Sequence, residues 1–285
     1  MISSKKFYSK FKKTIKQTIL LLITFIVIVL MRIYVLDMYK IPSPSMQPNL
    51  EPGDYILVNK MSYGPRVMDW WQLLVNNKIE YHWHKGWGAI KKGDVFVFNF
   101  PYYETLNDKY PDMYGGAIVK RCYGLPGDTI QIDNERMKDE GIKIEKYFYS
   151  EGYDSKPNLY PHDSTLNWTI DIYGPLWVPG KGKTMQLNSK NARHYRDVLL
   201  YEGFKINVSN DSVFLNDKYS ANYTFKYNYY FMKGDNFYNS QDSRYWGFVP
   251  QTHVIGKAVL VLFSLDPDEP WYRCFRWGRF LKRIR

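Results

Sequence analysis

Three places in the chain carry side chains whose type and spacing could do covalent chemistry. The first is IPSPSMQPNLEPGDYILV, where Ser43 and Ser45 stand two apart among Pro42, Pro44 and Pro48. In an extended chain that spacing puts both hydroxyls on one side. The prolines hold such a path and remove competing backbone donors. A serine presented this way is a candidate nucleophile, although the same composition also suits a plain linker. A nucleophilic serine needs a base, and the usual one is histidine. None of the five histidines is well placed: His82 and His84 flank Trp83, while His162, His194 and His253 stand in polar or unremarkable settings. His82-x-His84 could hold a metal on one strand face, but no cysteine or carboxylate spacing completes a ligand set.

The second place is AIVKRCYGLPGD, an apolar run closing on a Pro-Gly turn. Lys120 and Arg121 are adjacent, so on a strand they point to opposite faces and one of them faces inward. Burial disfavours an ammonium and can leave a lysine neutral near pH 7, which a general base requires. Arginine does not lose its proton this way. By spacing alone, a lysine at the surface is the plainer reading of Lys120. The third place is MKGDNFYNSQDSRYWGFVP, residues 232–250, polar and glycine-bearing between aromatics. Asp235, Asn236, Ser240, Asp242 and Arg244 can form a network there, with Asp242 and Arg244 as an ion pair. A capped loop would show the same letters.

These groups need elements to position them. Apolar residues make up 45% of the chain, with 26 Tyr and 9 Trp, which excludes a solvated disordered chain. Its 285 residues suffice for one large or two modest domains. The net charge of +11 raises nucleic acid or an anionic membrane as partner. Its distribution decides: residues 1–16 carry six Lys and no acid, residues 271–285 carry six Arg or Lys and no acid, and the middle is close to neutral. Nucleic-acid binding is therefore not expected. The two cysteines, Cys122 and Cys274, are too few for a disulfide framework or a zinc site.

Residues 17–31 are uncharged and apolar, but fifteen residues give only about 22 Å of helix against a hydrocarbon core of about 30 Å. Extension to residue 36 closes the gap and includes Arg32, which can snorkel to the headgroups. A cleaved secretory signal would need small residues after the run, and no Ala occurs before Ala89. The expectation is a retained anchor over 17–36, a basic cytoplasmic tail over 1–16, and everything later on the far side of the membrane. In the body, YILV at 55–58, VFVF at 95–98, TIQI at 129–132, VFL at 213–215 and AVLVL at 258–262 read as strands between turn-forming clusters. Asn216-Asp217 reads as a hairpin turn. The fold class is mainly β: one transmembrane helix, then a large all-β body with an inserted second lobe. The catalytic β domain is expected over 37–132 and 225–265, the lobe over 133–224. The Trp-rich residues 66–90, with Trp70, Trp71, Trp83 and Trp87, suit the bilayer surface or ordinary packing. The tail over 266–285, WYRCFRWGRFLKRIR at its end, suits an interfacial anchor with rings at headgroup level and Arg on phosphates, or a solvated basic tail.

Taken in order, SPSMQPNLEPGDYILV, KKGDVFVF, IVKRCYGLPGD and GDNFYNSQDSRYWGFVP after an N-terminal anchor resemble the type I signal peptidases, membrane-bound Ser/Lys proteases that remove secretory signal peptides. The resemblance implies Ser45 as nucleophile, Lys120 as general base, and the Ser43 hydroxyl with the Ser45 backbone N–H as oxyanion donors. It implies Ser240 as the hydroxyl that orients Lys120, Asp242 and Arg244 as a supporting ion pair, and Gly234 and Asp235 as a glycine turn. Ile41, Pro42, Met46, Leu50, Ile118 and Val119 match positions lining the substrate pockets. The resemblance implies no cofactor. Its partners would be signal-peptide-bearing preproteins, the lipid bilayer and the secretory translocation machinery, at a bacterial cytoplasmic membrane. Asn49, Phe237 and Cys122 depart from the family's usual residues, and none of them belongs to the implied dyad. A catalytically silent homologue, a self-cleaving Ser/Lys repressor and a His82/His84 metal enzyme are the competing functions.

Overall fold

A computed structural model describes residues 2–68, 81–101, 116–133 and 159–285. The chain opens with one long helix, α1 (Ile2–Tyr34). Within it Phe11–Tyr34 is long and apolar enough to cross a membrane, and among the described residues none of its most apolar window is buried. Leu20, Leu21 and Phe25 are each about two-thirds exposed, so the helix is apolar all round and fits an apolar surrounding. Thr18 and Thr24 donate their hydroxyls to the carbonyls of Thr14 and Leu20, which satisfies them inside the helix. The helix ends two residues before the expected boundary, because Leu36 already pairs with Asn59. Lys60 donates to the Arg32 carbonyl and pairs with Asp37 at 2.8 Å, placing a cation at the helix C-terminus.

The body is mainly β, as expected, and its centre is an eight-stranded antiparallel sheet. Its strands are β1 (Leu36–Lys40), β2 (Asp54–Asn59), β3 (Val95–Asn99), β4 (Ala117–Gly124), β5 (Tyr229–Lys233), β6 (Val249–Pro250), β7 (Val254–Ser264) and β8 (Lys282–Arg283). The order across the sheet is β1-β2-β7-β3-β4-β5-β6, with β8 added to β7. In β2 the alternation puts Asp54, Ile56 and Val58 inward. In β3 Val95, Phe96, Val97 and Phe98 are all buried, so this strand is covered on both faces. Val95 and Val97 join an aliphatic cluster with Ile41, Met46, Leu50, Ile56, Val58 and Val261. Phe96 and Phe98 join a larger, aromatic-rich cluster.

The strand-like runs at 55–58, 95–98, 129–132, 213–215 and 258–262 all lie in strands. Asn216 and Asp217 both take positive φ between the strands Ser212–Leu215 and Lys218–Tyr219, the tight hairpin turn expected there. Asn210 and Asp211 form a second such turn that sequence patterning did not mark. The body is not purely β: α2 (Ser189–His194), α3 (Arg196–Tyr201) and α4 (Ser243–Trp246) are short helices. Glu202, just past α3, is buried and accepts from the Tyr229 hydroxyl at 2.8 Å, the Lys226 backbone at 2.9 Å and the Tyr223 hydroxyl. One carboxylate thus ties this lobe to β5.

The C-terminal residues 266–285 are not a free tail. Lys282–Arg283 pairs with β7, Leu265 bridges Phe275, and Arg276 and Arg279 turn into the body. The reason is geometric: a guanidinium fork matches the carboxylates of Glu51 and Asp54 better than it matches solvent. Trp271 and Trp277 face outward, 87% and 77% exposed. Trp70 and Trp71, and residues 134–158 of the expected lobe, lie outside the described residues.

Candidate active site

Ser43 is extended, at φ −126° and ψ 157°, and begins a single 3-10 turn over Pro44–Met46. The strand-like path expected through both serines therefore stops at Ser43. Pro44 explains the change, since its fixed φ suits the first position of a helical turn and its carbonyl accepts from Gln47 N. The two hydroxyl oxygens still meet, 3.2 Å apart. Met46 then drops into the aliphatic cluster and is 1% exposed, which pins the turn from below. Asn236 pins it from the side, its backbone N–H donating to the Ser45 carbonyl at 3.1 Å and its side chain to the Pro44 carbonyl at 3.2 Å.

β4 delivers Lys120 and Arg121 to opposite sides, as the strand alternation requires. Lys120 is 4% exposed, and its Nζ lies 2.6 Å from Ser45 Oγ. Burial pulls its ammonium down to about 8; nearby Arg244 adds to that, while Asp242 and Asp235 oppose it. Arg121 faces the other way and grips Asp235 with Nε and Nη2, each at 2.6 Å. Asn49 donates to the same carboxylate at 2.8 Å. Asp235 is thus more than part of a turn: it links β4 to the loop after the serines. Both residues were marked in the sequence, but their pairing was not legible, because Arg121 and Asp235 are 114 residues apart.

Asp242 and Arg244 form the expected ion pair, both fully buried. Arg244 donates to Asp242 through Nε and Nη2 at 2.9 Å, and through Nη2 to the Phe237 carbonyl at 2.7 Å. Asp242 also caps α4 and accepts from Gly234 N at 3.0 Å. Its carboxyl is held below the ordinary range by Arg244 and these hydrogen bonds, against the opposing effect of burial. Gly234 is needed for space: a Cβ there would collide with Ser240 Oγ and the Ser45 carbonyl. Ser240 is buried at this contact, and among the described residues its hydroxyl has no hydrogen-bond partner, so the expected bond to Lys120 is not made here.

A cleft of about 410 Å³ opens over the two serines. Ile41, Pro42, Met46, Ile118 and Val119 line it, five of the six residues implied for substrate contact. Leu50 is fully buried in the aliphatic cluster beneath instead. Ala117, Asn239 and Gln241 also line the cleft; they stand inside the marked segments but were given no role of their own. Among the described residues no group of His, Cys, Asp or Glu could hold a metal ion.

A buried lysine amine thus meets a serine hydroxyl in the wall of an apolar cleft. The family model for signal peptidase, peptidase S26, matches residues 13–263, and the chain belongs to that family. It is 31% identical over 270 residues to a signal peptidase I of Buchnera aphidicola subsp. Schizaphis graminum, covering 86% of this chain and 74% of the relative. Signal peptidase I of Pseudomonas aeruginosa is 30% identical over 252 residues, covering 85% and 69%. Signal peptidase I of Aquifex aeolicus is 27% identical over 266 residues, covering 89% and 88%. Membership makes the chain a serine endopeptidase of signal-peptide processing.

Proposed function

We propose that the chain removes N-terminal signal peptides from exported preproteins by a Ser45/Lys120 mechanism. The observation that carries this reading is the 2.6 Å contact between a buried lysine amine and the Ser45 hydroxyl. In its neutral form Lys120 takes the Ser45 proton as Oγ attacks the carbonyl carbon of the scissile bond. The oxyanion that forms is received by the Ser45 backbone N–H and the Ser43 hydroxyl. Lys120, now an ammonium, returns the proton to the departing amine, and water then hydrolyses the acyl-enzyme by the same route in reverse. Once Ser45 is acylated its hydroxyl no longer holds Lys120, and the unpartnered Ser240 hydroxyl is available to orient the amine instead. Asp242 is paired with Arg244, so the pull of its carboxylate on the Lys120 ammonium is offset by the neighbouring guanidinium.

The cleft explains which peptides fit. Residues 117–119 of β4 pair with β3 on one side, whereas β5 pairs only from Arg121 onward. An extended substrate can add to that edge, which is unpaired among the described residues, with its small side chains facing Ile41, Met46, Ile118 and Val119. The helix α1 would hold the body at the outer face of a bacterial cytoplasmic membrane, with its basic start inside and the translocation machinery delivering substrate nearby. That placement supplies part of the orienting entropy before the peptide reaches the cleft. The test is cleavage of a model preprotein, bearing an A-x-A site after its apolar segment, by detergent-solubilised wild type and Ser45→Ala. Cutting at that site by wild type alone is expected. Equal cutting by both proteins removes Ser45 from the mechanism, and no cutting by folded wild type favours a catalytically silent homologue.

A further inference from the structure

The C-terminal basic segment, which first suggested a lipid contact, places its two best-satisfied cations elsewhere. Arg279 is 8% exposed and donates to Asp54 through Nε at 2.8 Å and Nη2 at 2.6 Å. Its Nη1 reaches Glu51 Oε1 at 2.9 Å, and its Nη2 also reaches the Asn49 carbonyl at 2.8 Å. Arg276 takes the other Glu51 oxygen at 2.9 Å and the Pro52 carbonyl. Every one of these acceptors lies in residues 49–54, the loop that leaves the Ser45 turn and enters β2.

That loop in turn holds the nucleophile's flanks. Gly53 N donates to the Ile41 carbonyl and Ile41 N to the Asp54 carbonyl, both at 2.8 Å. Leu50 N donates to the Met46 carbonyl at 2.9 Å. A Cβ on Gly53 would collide with the Leu265 carbonyl, so the loop and the C-terminal segment touch through bare backbone. From the opposite side Asn49 is held by Asp235, which is held by Arg121. Arg121 in turn donates to the Arg285 carbonyl at 2.7 Å. The loop is therefore gripped twice, and both grips run back to the last ten residues of the chain.

We propose that Arg279, assisted by Arg276, is a positioning residue for Ser45: its guanidinium fixes residues 49–54 and through them the Ser45 hydroxyl against Lys120. This rests on the Ser45/Lys120 reading above. Asp54 is fully buried, so removing the Arg279 fork leaves a buried carboxylate short of donors. The loop then relaxes, and displacements of about 1 Å in a reacting group can cost about 10² in rate.

The test uses full-length protein in detergent. Arg279→Lys keeps the charge but not the fork, and is expected to lower kcat by about ten- to a hundredfold with KM changed by no more than about twofold. Glu51→Gln, which keeps the Asp54 pair, is expected to fall by about threefold. Amide hydrogen exchange should speed up over residues 46–54 in Arg279→Lys while the sheet strands keep their protection. Wild-type kcat in both variants overturns the proposal, as does a loss of kcat/KM that comes from a rise in KM alone. If Arg279→Lys does not fold, Glu51→Gln alone decides by the same split. If wild type itself cuts nothing, the Ser45/Lys120 reading fails, and the exchange over 46–54 still reports whether Arg279 holds the loop.

Discussion

On one face of the main sheet Ile41, Met46, Leu50, Ile56, Val58, Val95 and Val97 make a small aliphatic layer. On the other face Phe98, Phe225, Tyr229, Phe231, Trp246 and Phe248 belong to a much larger layer built of rings. The two layers hold the site differently. The aliphatic one contributes its own members, Ile41 and Met46, to the cleft wall, so any change in its packing moves the substrate surface directly. The aromatic one acts at a distance, seating the Asp242–Arg244 pair between Phe237, Tyr245 and the rest of α4. Large rings fill volume with few rotamers and make a stiff platform. Short aliphatic chains shape a pocket for small side chains. Lys120 forms a seam between the two, sharing its β4 face with Ile118 and Cys122 of the aromatic layer and reaching Ser45, next to Met46 of the aliphatic one.

The sharpest break in this division is at the seam itself. Lys120→Met keeps an apolar stem but removes the amine, and is expected to lower cleavage by about 10⁴ or more with the fold retained, read by preprotein processing and thermal unfolding. On the proposed mechanism that amine acts in its neutral form, and burial pulls it down to about 8, so activity is expected to fall as pH drops through that region. A rate that stays flat well below pH 8 points to another base. Next in size are the layers. Phe225→Ala in the aromatic layer and Met46→Ala in the aliphatic layer should cost about 3–5 and 2–5 kcal/mol in denaturant unfolding. Below their unfolding transitions only Met46→Ala should lose kcat/KM, and an equal loss in Phe225→Ala would mean that the two layers do not hold the site differently. The smallest effect belongs to Ser240→Ala, expected to lower turnover by about tenfold. A shift of the pH profile in that variant would tie the hydroxyl to Lys120, and an unchanged rate and profile would leave Ser240 a packing residue beside Gly234.

Much of this was legible in the letters because it is local or periodic. Ser43 and Ser45 meet within one turn, Lys120 and Arg121 separate by strand alternation, and Asp242 pairs with Arg244 two residues away. The apolar runs became strands because their β-branched and aromatic residues fit a covered sheet. What escaped was long-range pairing. Arg279 finds Asp54 across 225 residues, and nothing in WYRCFRWGRFLKRIR says whether its cations face lipid or protein. Leu50 was assigned to the pocket by motif position, yet it lies in the aliphatic layer and is not among the residues that line the cleft. The short helices α2 and α3 sit in a polar stretch with no sustained period, so their apolar contacts, Ala192, Val198 and Leu199, left little pattern to read.

The junction between α1 and β1 has a consequence for where a peptide is cut. Helix ends at Tyr34, strand begins at Leu36, and Lys60 bolts the two together through the Arg32 carbonyl. With no flexible spacer, five strand residues, at most about 17 Å of chain, separate the anchor from the cleft at Ile41. On the proposed membrane placement the enzyme would work as a depth gauge, with the bilayer as its zero mark and the cleft at a fixed height along any peptide that stands up from the lipid. A preprotein presenting its small residues too low or too high would pass uncut however well they fit. Lengthening the junction by a few glycines should blur the gauge, spreading cleavage over neighbouring bonds before it slows it.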